Sequence, residues 1–257
     1  MSRGKLASLG GVMAAAVLGV SLPACAQPSL RNISPFGDSL GASNPPVARY
    51  VAGQGLSFTF DRSEGAPQAL LRFDGNPEVW VLEPSPGPRG DTIYRNDVGD
   101  QVLRVTRLGG VTLFTPRIPE GVPAALLGDA EDLMPPPIIP LELLSQRGAQ
   151  AAYRVALAIQ QAQGIQRPIN FTTHFVPLAW TPQFIDAFNV AVDAIVKLSR
   201  DRRSKAFLAK LESVQFVAGQ KPDVTVNGAV ITITLVPTKG FAGRPSSDRI
   251  IKALPKK

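Results

Sequence analysis

The side chains with chemistry to offer are few, and they are scattered along the chain. His174 is the sole histidine. It sits in a run where Asn170, Thr172 and His174 share one face and Ile169, Phe171 and Phe175 the other, as an extended segment would place them. A lone histidine can act as a general base if a carboxylate or hydroxyl reaches it, but it cannot build a metal site with other histidines or thiols. Its first reading is a hydrogen-bonded structural residue. Carboxylates gather elsewhere: Asp91, Asp97 and Asp100 lie among Arg95, Asn96, Arg104 and Arg107. Paired carboxylates do acid and base work, while aspartates in a glycine-containing turn are also what turn chemistry requires. The aspartic-protease triplet is missing, since Asp91-Thr92 continues with Ile93, and there is no glycine-rich phosphate loop. His174, Asp97 and Asp91 thus stand as acid–base candidates without a committed catalytic assignment, and neither a metal nor a cofactor is expected.

Phe36-Gly37-Asp38-Ser39-Leu40 matches the nucleophile block of the GDSL esterases, whose serine is activated by a histidine in an Asp-x-x-His element. That serine needs a buried strand behind it, and His174 is preceded three positions earlier by Phe171, not aspartate. Ser39 is read as a chance match. The densest cationic cluster is Lys197, Arg200, Arg202, Arg203, Lys205 and Lys210. Most of it falls at the end of an expected helix, where positive charge complements the helix dipole. The sharper reading is an anionic partner, with Arg95, Arg104, Arg107, Arg202 and Arg203 as binding candidates.

The elements that must position these groups divide the chain in two. Short apolar runs at 56–60, 69–73, 78–82, 92–95, 101–108 and 111–115 alternate with turns at 74–77, 86–88 and 96–99, which predicts a β-meander over 48–115. Its last hairpin is expected to turn on Gly109-Gly110. Trp80 and Leu82 oppose Val79 and Val81, so both faces of the sheet carry apolar residues. Such a sheet is either curled towards closure or covered, and covering by the second half is the preferred expectation. Residues 116–147 hold seven prolines and predict an extended connector. A helix is expected over 149–163, stopped by Gly164, and a longer one begins at Thr181-Pro182, with Asp186, Asn189, Asp193 and Lys197 towards water. A shorter helix over 204–212, a strand over 214–217 and a hairpin on Asn227-Gly228 follow, and Ser246 or Ser247 caps a last short helix. The fold class is α+β: an N-terminal antiparallel β-meander packed against a C-terminal part (148–257) with two main helices and a β-hairpin.

The N-terminus addresses the chain. Arg3 and Lys5 precede an uncharged, mostly apolar run over 6–22, an export signal ending near residue 26, with an extended lead-in over 27–47. Ala24-Cys25-Ala26 suits ordinary signal peptidase, the preferred reading; Leu22-Pro23-Ala24-Cys25 resembles a lipobox, which would make Cys25 a lipidation site. With one cysteine in the sequence, no disulfide framework is available. The formal charge of +7 across 257 residues is a modest excess. For an exported chain it points to lipid headgroups or envelope polymers rather than nucleic acid.

The segments Pro46-Val47-Ala48-Arg49-Tyr50, Pro77-Glu78-Val79-Trp80, the run 88–97, the run 103–110 and Ala242-Gly243-Arg244-Pro245-Ser246-Ser247 resemble a family of exported proteobacterial proteins, domain of unknown function 4908. The resemblance implies export and a two-part fold, and lends no catalytic residues. The expected role is a non-catalytic envelope protein that binds an envelope partner or has a structural part, periplasmic or secreted, with no transmembrane segment after the leader. Anchoring in the outer membrane through Cys25 is the alternative location. The alternative activities are a hydrolase using His174 or the meander carboxylates, and a basic surface for anionic lipid or polymer.

Overall fold

The computed structural model describes residues 44–53, 55–63 and 67–255; the expected leader, Cys25 and Ser39 lie outside the described residues. Eight strands form the first half: β1 (Val47–Ala52), β2 (Leu56–Asp61), β3 (Ala69–Phe73), β4 (Trp80–Pro86), β5 (Thr92–Arg95), β6 (Gln101–Val105), β7 (Val111–Thr115) and β8 (Ile118–Asp129). Each pairs antiparallel with the next, and β8 returns to β1, with Ala48 opposite Asp129 and Ala52 opposite Ala124. The sheet is a closed barrel.

Closure corrects the preference for a covered open sheet, and it explains the apolar residues on both faces. Alternate residues Tyr50, Phe58, Phe60, Leu71, Leu82, Leu103 and Leu113 fill the interior, where Tyr50 stacks on Phe58 at 5.5 Å and Phe60 meets Tyr94 edge-on at 5.0 Å. Each such fully buried side chain contributes roughly 1.5–3 kcal/mol. One outer wall is covered as well: Val79, with Leu70 and Val81, packs against Leu133 and Phe241 from later in the chain.

Two expected boundaries in the first half shift. The proline-rich stretch does not begin as a connector, because β8 runs through Pro119 and Pro123. The chain bends there at Gly121, whose φ of +82° and 2.6 Å approach of a would-be β-carbon to Phe114 exclude a side chain. The last meander hairpin does not turn on two glycines. β6 stops at Val105, Gly109 N donates to Thr106 O at 2.9 Å, and Thr106 N donates to Gly110 O at 2.8 Å, so Arg107 and Leu108 stand at the apex of a turn.

In the second half, α1 (Leu141–Gln163) starts earlier than expected. Gly148, in the added first turns, is where α1 approaches the Phe188 ring. Gly164 ends it in a left-handed conformation, with φ of 69°. The sheet beneath has the order β11-β12-β10-β9, built from β9 (Asn170–Thr173), β10 (Ser213–Ala218), β11 (Asp223–Asn227) and β12 (Val230–Leu235). β10 runs parallel to both neighbours, and β11 and β12 form the expected hairpin one residue later than expected: Asn227 pairs with Val230, so the turn is Gly228-Ala229. Between α1 and the terminal α4 (Ser247–Ala253) runs α2 (Thr181–Ser199), buried on most of its surface; the short α3 (Lys205–Leu208) follows it. Pro182 takes the first turn of α2 as expected, but Thr181 does not cap with its side chain: its hydroxyl donates to Leu178 O at 2.9 Å and accepts from Ile139 N at 3.1 Å. Asp186, expected in water, is 6% exposed.

Candidate functional site at the barrel–helix junction

The groups singled out in the sequence do not converge. His174 is exposed just beyond β9 and makes no side-chain hydrogen bond or ion pair among the described residues, so it is neither the bonded structural histidine expected nor a base with a partner. Asp91 is buried and accepts from Arg104 Nε at 2.6 Å, which ties the start of β5 to β6. Arg95 donates to Gly99 O at 3.0 Å and braces its own turn. Arg107 is exposed at the β6–β7 turn. Arg202 and Arg203 are exposed after α2, and Arg203 forms an ion pair with Asp201 at 2.9 Å. Among the described residues, no group of three or more His, Cys, Asp or Glu side chains is arranged to hold a metal ion.

Asp97, with Lys197 of the cationic cluster, reaches a larger constellation, one built mostly from residues without a local sequence signal. The segment joining β3 to β4 and the turn between β5 and β6 lie at one end of the barrel, where residues 244–249 dock against them. Ser246 N donates to Asp97 Oδ2 at 2.9 Å, and the Ser246 hydroxyl donates to the other carboxylate oxygen. The same hydroxyl accepts from Arg249 N at 3.1 Å, so Ser246 caps α4 while bonded to the barrel. Ser247 N donates to Glu78 Oε1 at 2.8 Å and Ser247 Oγ donates to Glu78 Oε2 at 2.6 Å. Arg244 forms an ion pair with Asp186 of α2 through Nε, and its Nη2 donates to Val79 O at 2.8 Å. Lys197 Nζ donates to Ser247 Oγ at 3.2 Å and pairs with Asp193 at 2.6 Å.

Glu78 and Ser247 answer each other, as do Arg244 and Asp186. Glu78 is 1% exposed, Ser247 0% and Arg244 7%, so an unmatched charge would be costly here. Burial pushes the Glu78 carboxyl above its ordinary range, against the opposing pull of Arg244 and of the two Ser247 hydrogen bonds. Asp248 is raised too, chiefly by burial and further by Asp100, Asp97 and Asp193, with Lys197 opposing. For Lys197, burial works downward, but the hydrogen bond and charge of Asp193, with Glu78 and Asp248, leave it raised.

A serine between a carboxylate and a lysine has the parts of an activated nucleophile. Two features argue against that use. Asp193, Glu78 and Asp248 favour the charged form of Lys197, and Ser247 and Glu78 are closed off from solvent: the depression lined by Asp97, Val98, Asp223, Arg249 and Lys252 includes neither of them. The arrangement holds two bodies together. Sequence reading missed Glu78, Asp186, Arg244 and Ser247 as partners because the bonds span long separations, 169 residues for Glu78 and Ser247.

Fold and junction together define the class: an α+β protein in which a closed eight-stranded barrel is latched to an α/β layer by buried charges. The chain belongs to the family described as Domain of unknown function (DUF4908), whose model matches residues 31–254. No curated protein and no solved structure matches the chain. Among the described residues, no helix is long and apolar enough to cross a membrane.

Proposed function

We propose that this is an exported, non-catalytic envelope protein whose rigid barrel and α/β layer present surfaces to a partner. The observation that supports the reading is the spending of reactive groups on internal bonds. Asp91 is used by Arg104, Asp97 by Ser246, and Glu78 with Ser247 by each other in a sealed junction. His174, the acid–base candidate left in water, has no carboxylate or hydroxyl bonded to it among the described residues. A hydrolase needs base, nucleophile and a place for substrate within hydrogen-bond reach of one another.

The basic-surface reading keeps a specific support. Arg202, Lys205 and Lys210 are exposed around the end of α2, and the Arg202 side chain makes no hydrogen bond or ion pair among the described residues. Affinity purification of the exported chain from intact envelope tests the main reading. A partner recovered in stoichiometric amount is expected. A hydrolytic activity of the purified protein that is lost in His174→Ala would overturn it.

A further inference from the structure

The barrel has two ends, and the register assigns each turn to one of them. The segments joining β1 to β2, β3 to β4, β5 to β6 and β7 to β8 share one end, and the latch to residues 244–249 is there. The turns joining β4 to β5 and β6 to β7 share the other end with the start of β1. Leu108 is 91% exposed at that second end, where a leucine of this fold gains nothing from packing. Arg107 precedes it in the same turn, and Arg89 stands at the apex of the neighbouring turn, both exposed and neither bonded among the described residues.

The turns that carry these side chains are ordered by their own hydrogen bonds. The β6–β7 turn is closed by Gly109 N to Thr106 O at 2.9 Å and by Gly110 N to Thr106 Oγ1 at 2.9 Å. The β4–β5 turn is closed by Gly87 N to Asp91 O at 2.8 Å, and it forces Arg89 into the left-handed region, with φ of 60°, the one non-glycine residue so placed among those described. Such strain is kept where the surrounding structure imposes it, and it gathers at functional loops. The two turns adjoin: a β-carbon on Gly90 would lie 3.6 Å from Arg107 Cδ. Asp91, the carboxylate between them, is already taken by Arg104. Asp129, Glu131 and Asp132 follow where β8 leaves this end, so the cationic character belongs to the β4–β7 side. Finally, Asn44 Nδ2 donates to Gly109 O at 2.6 Å, so the chain enters the barrel beside this same turn.

We propose that Leu108, flanked by Arg107 and Arg89, docks this end of the barrel onto an anionic lipid bilayer, the leucine entering the headgroup boundary and the guanidiniums meeting phosphates. The proposal rests on the export reading for its setting, and it names the lipid surface as the partner of this end. Pre-ordered turns lower the ordering cost of the contact. The pairing of an apolar residue with cations is what interfacial binding uses.

Sedimentation with vesicles tests it, using the chain from Gln27 onward, which contains every described residue. Vesicles of phosphatidylcholine alone are compared with equimolar phosphatidylcholine and phosphatidylglycerol. Binding is expected to the second and not the first, weakening as salt is added. Arg89→Ala and Arg107→Ala should each lower the affinity roughly fivefold, and Leu108→Ser roughly tenfold or more. All three residues are exposed, so the folded fraction is unaffected, and circular dichroism verifies it. Equal binding to both vesicles, no binding to either, or loss in Arg202→Ala with Arg203→Ala but not in the barrel-end variants would overturn the proposal. An envelope partner still recovered in those cases would leave the partner-binding reading standing.

Discussion

Ser247 Oγ donates to Glu78 Oε2 at 2.6 Å across 169 residues of sequence, and the Ser247 amide donates to the other oxygen of the same carboxylate at 2.8 Å. This two-point contact joins the first residue of α4 to the segment leading into β4. Around it, Arg244 adds the ion pair to Asp186 and the bond to Val79 O.

Arg244→Ala should destabilise the protein by about 3–5 kcal/mol, because it leaves Asp186 and Glu78 buried without their cation. Urea unfolding measures the loss. Adding Asp186→Asn and Glu78→Gln to that variant should recover part of it, since the stranded charges are then gone; a further loss of similar size would contradict the ionic account.

The junction should also show in the pH dependence of stability. Glu78 and Asp248 have carboxyls raised above their ordinary values of 4.5 and 3.8 by burial. Folding therefore favours their protonated forms. Their contribution to stability is fully present below those ordinary values and is lost as pH rises through the raised folded-state values. Measured against Glu78→Gln at each pH, the wild type should lose relative stability from acid towards neutral. A relative gain over that window would refute the sign.

Gly243→Ala should be among the most damaging small substitutions. A β-carbon there would lie 2.0 Å from Val236 O, a backbone atom that cannot swing aside, and the residue precedes Arg244. About 3 kcal/mol or more of stability is expected to go. Thermal unfolding that shifts by less than the scatter of surface variants would count against the close approach.

His174→Ala, by contrast, should change stability by less than about 0.5 kcal/mol, the range for exposed positions without partners. A larger loss by chemical denaturation would mean that the side chain bonds to something the present contacts lack.

The β11–β12 hairpin was legible, to within one residue of its turn, because apolar alternation flanks it, and β3, β5 and β7 were legible from the same local pattern. The barrel's closure was not, since β8 carries Pro119, Pro123 and Gly121, which break the pattern that marks strands. Asp186 looked solvent-facing because a polar stripe on a helix reads as a wet face whatever packs against it. Its partner Arg244 lies 58 residues away. Glu78 and Ser247 gave no local sign of each other, although both fall in segments that carried the family resemblance. The site candidates chosen for residue type alone, His174 and Asp91, turned out separate; Asp97 reached the junction through a serine chosen only as a helix cap.

Amide hydrogen exchange at Ser247 tests the latch most directly. As the first residue of α4, its N–H has no intrahelical acceptor, so slow exchange there depends on Glu78. The account predicts protection close to that of the barrel core in the wild type, lost in Glu78→Ala. Exchange at the rate of an exposed amide in the wild type would contradict it.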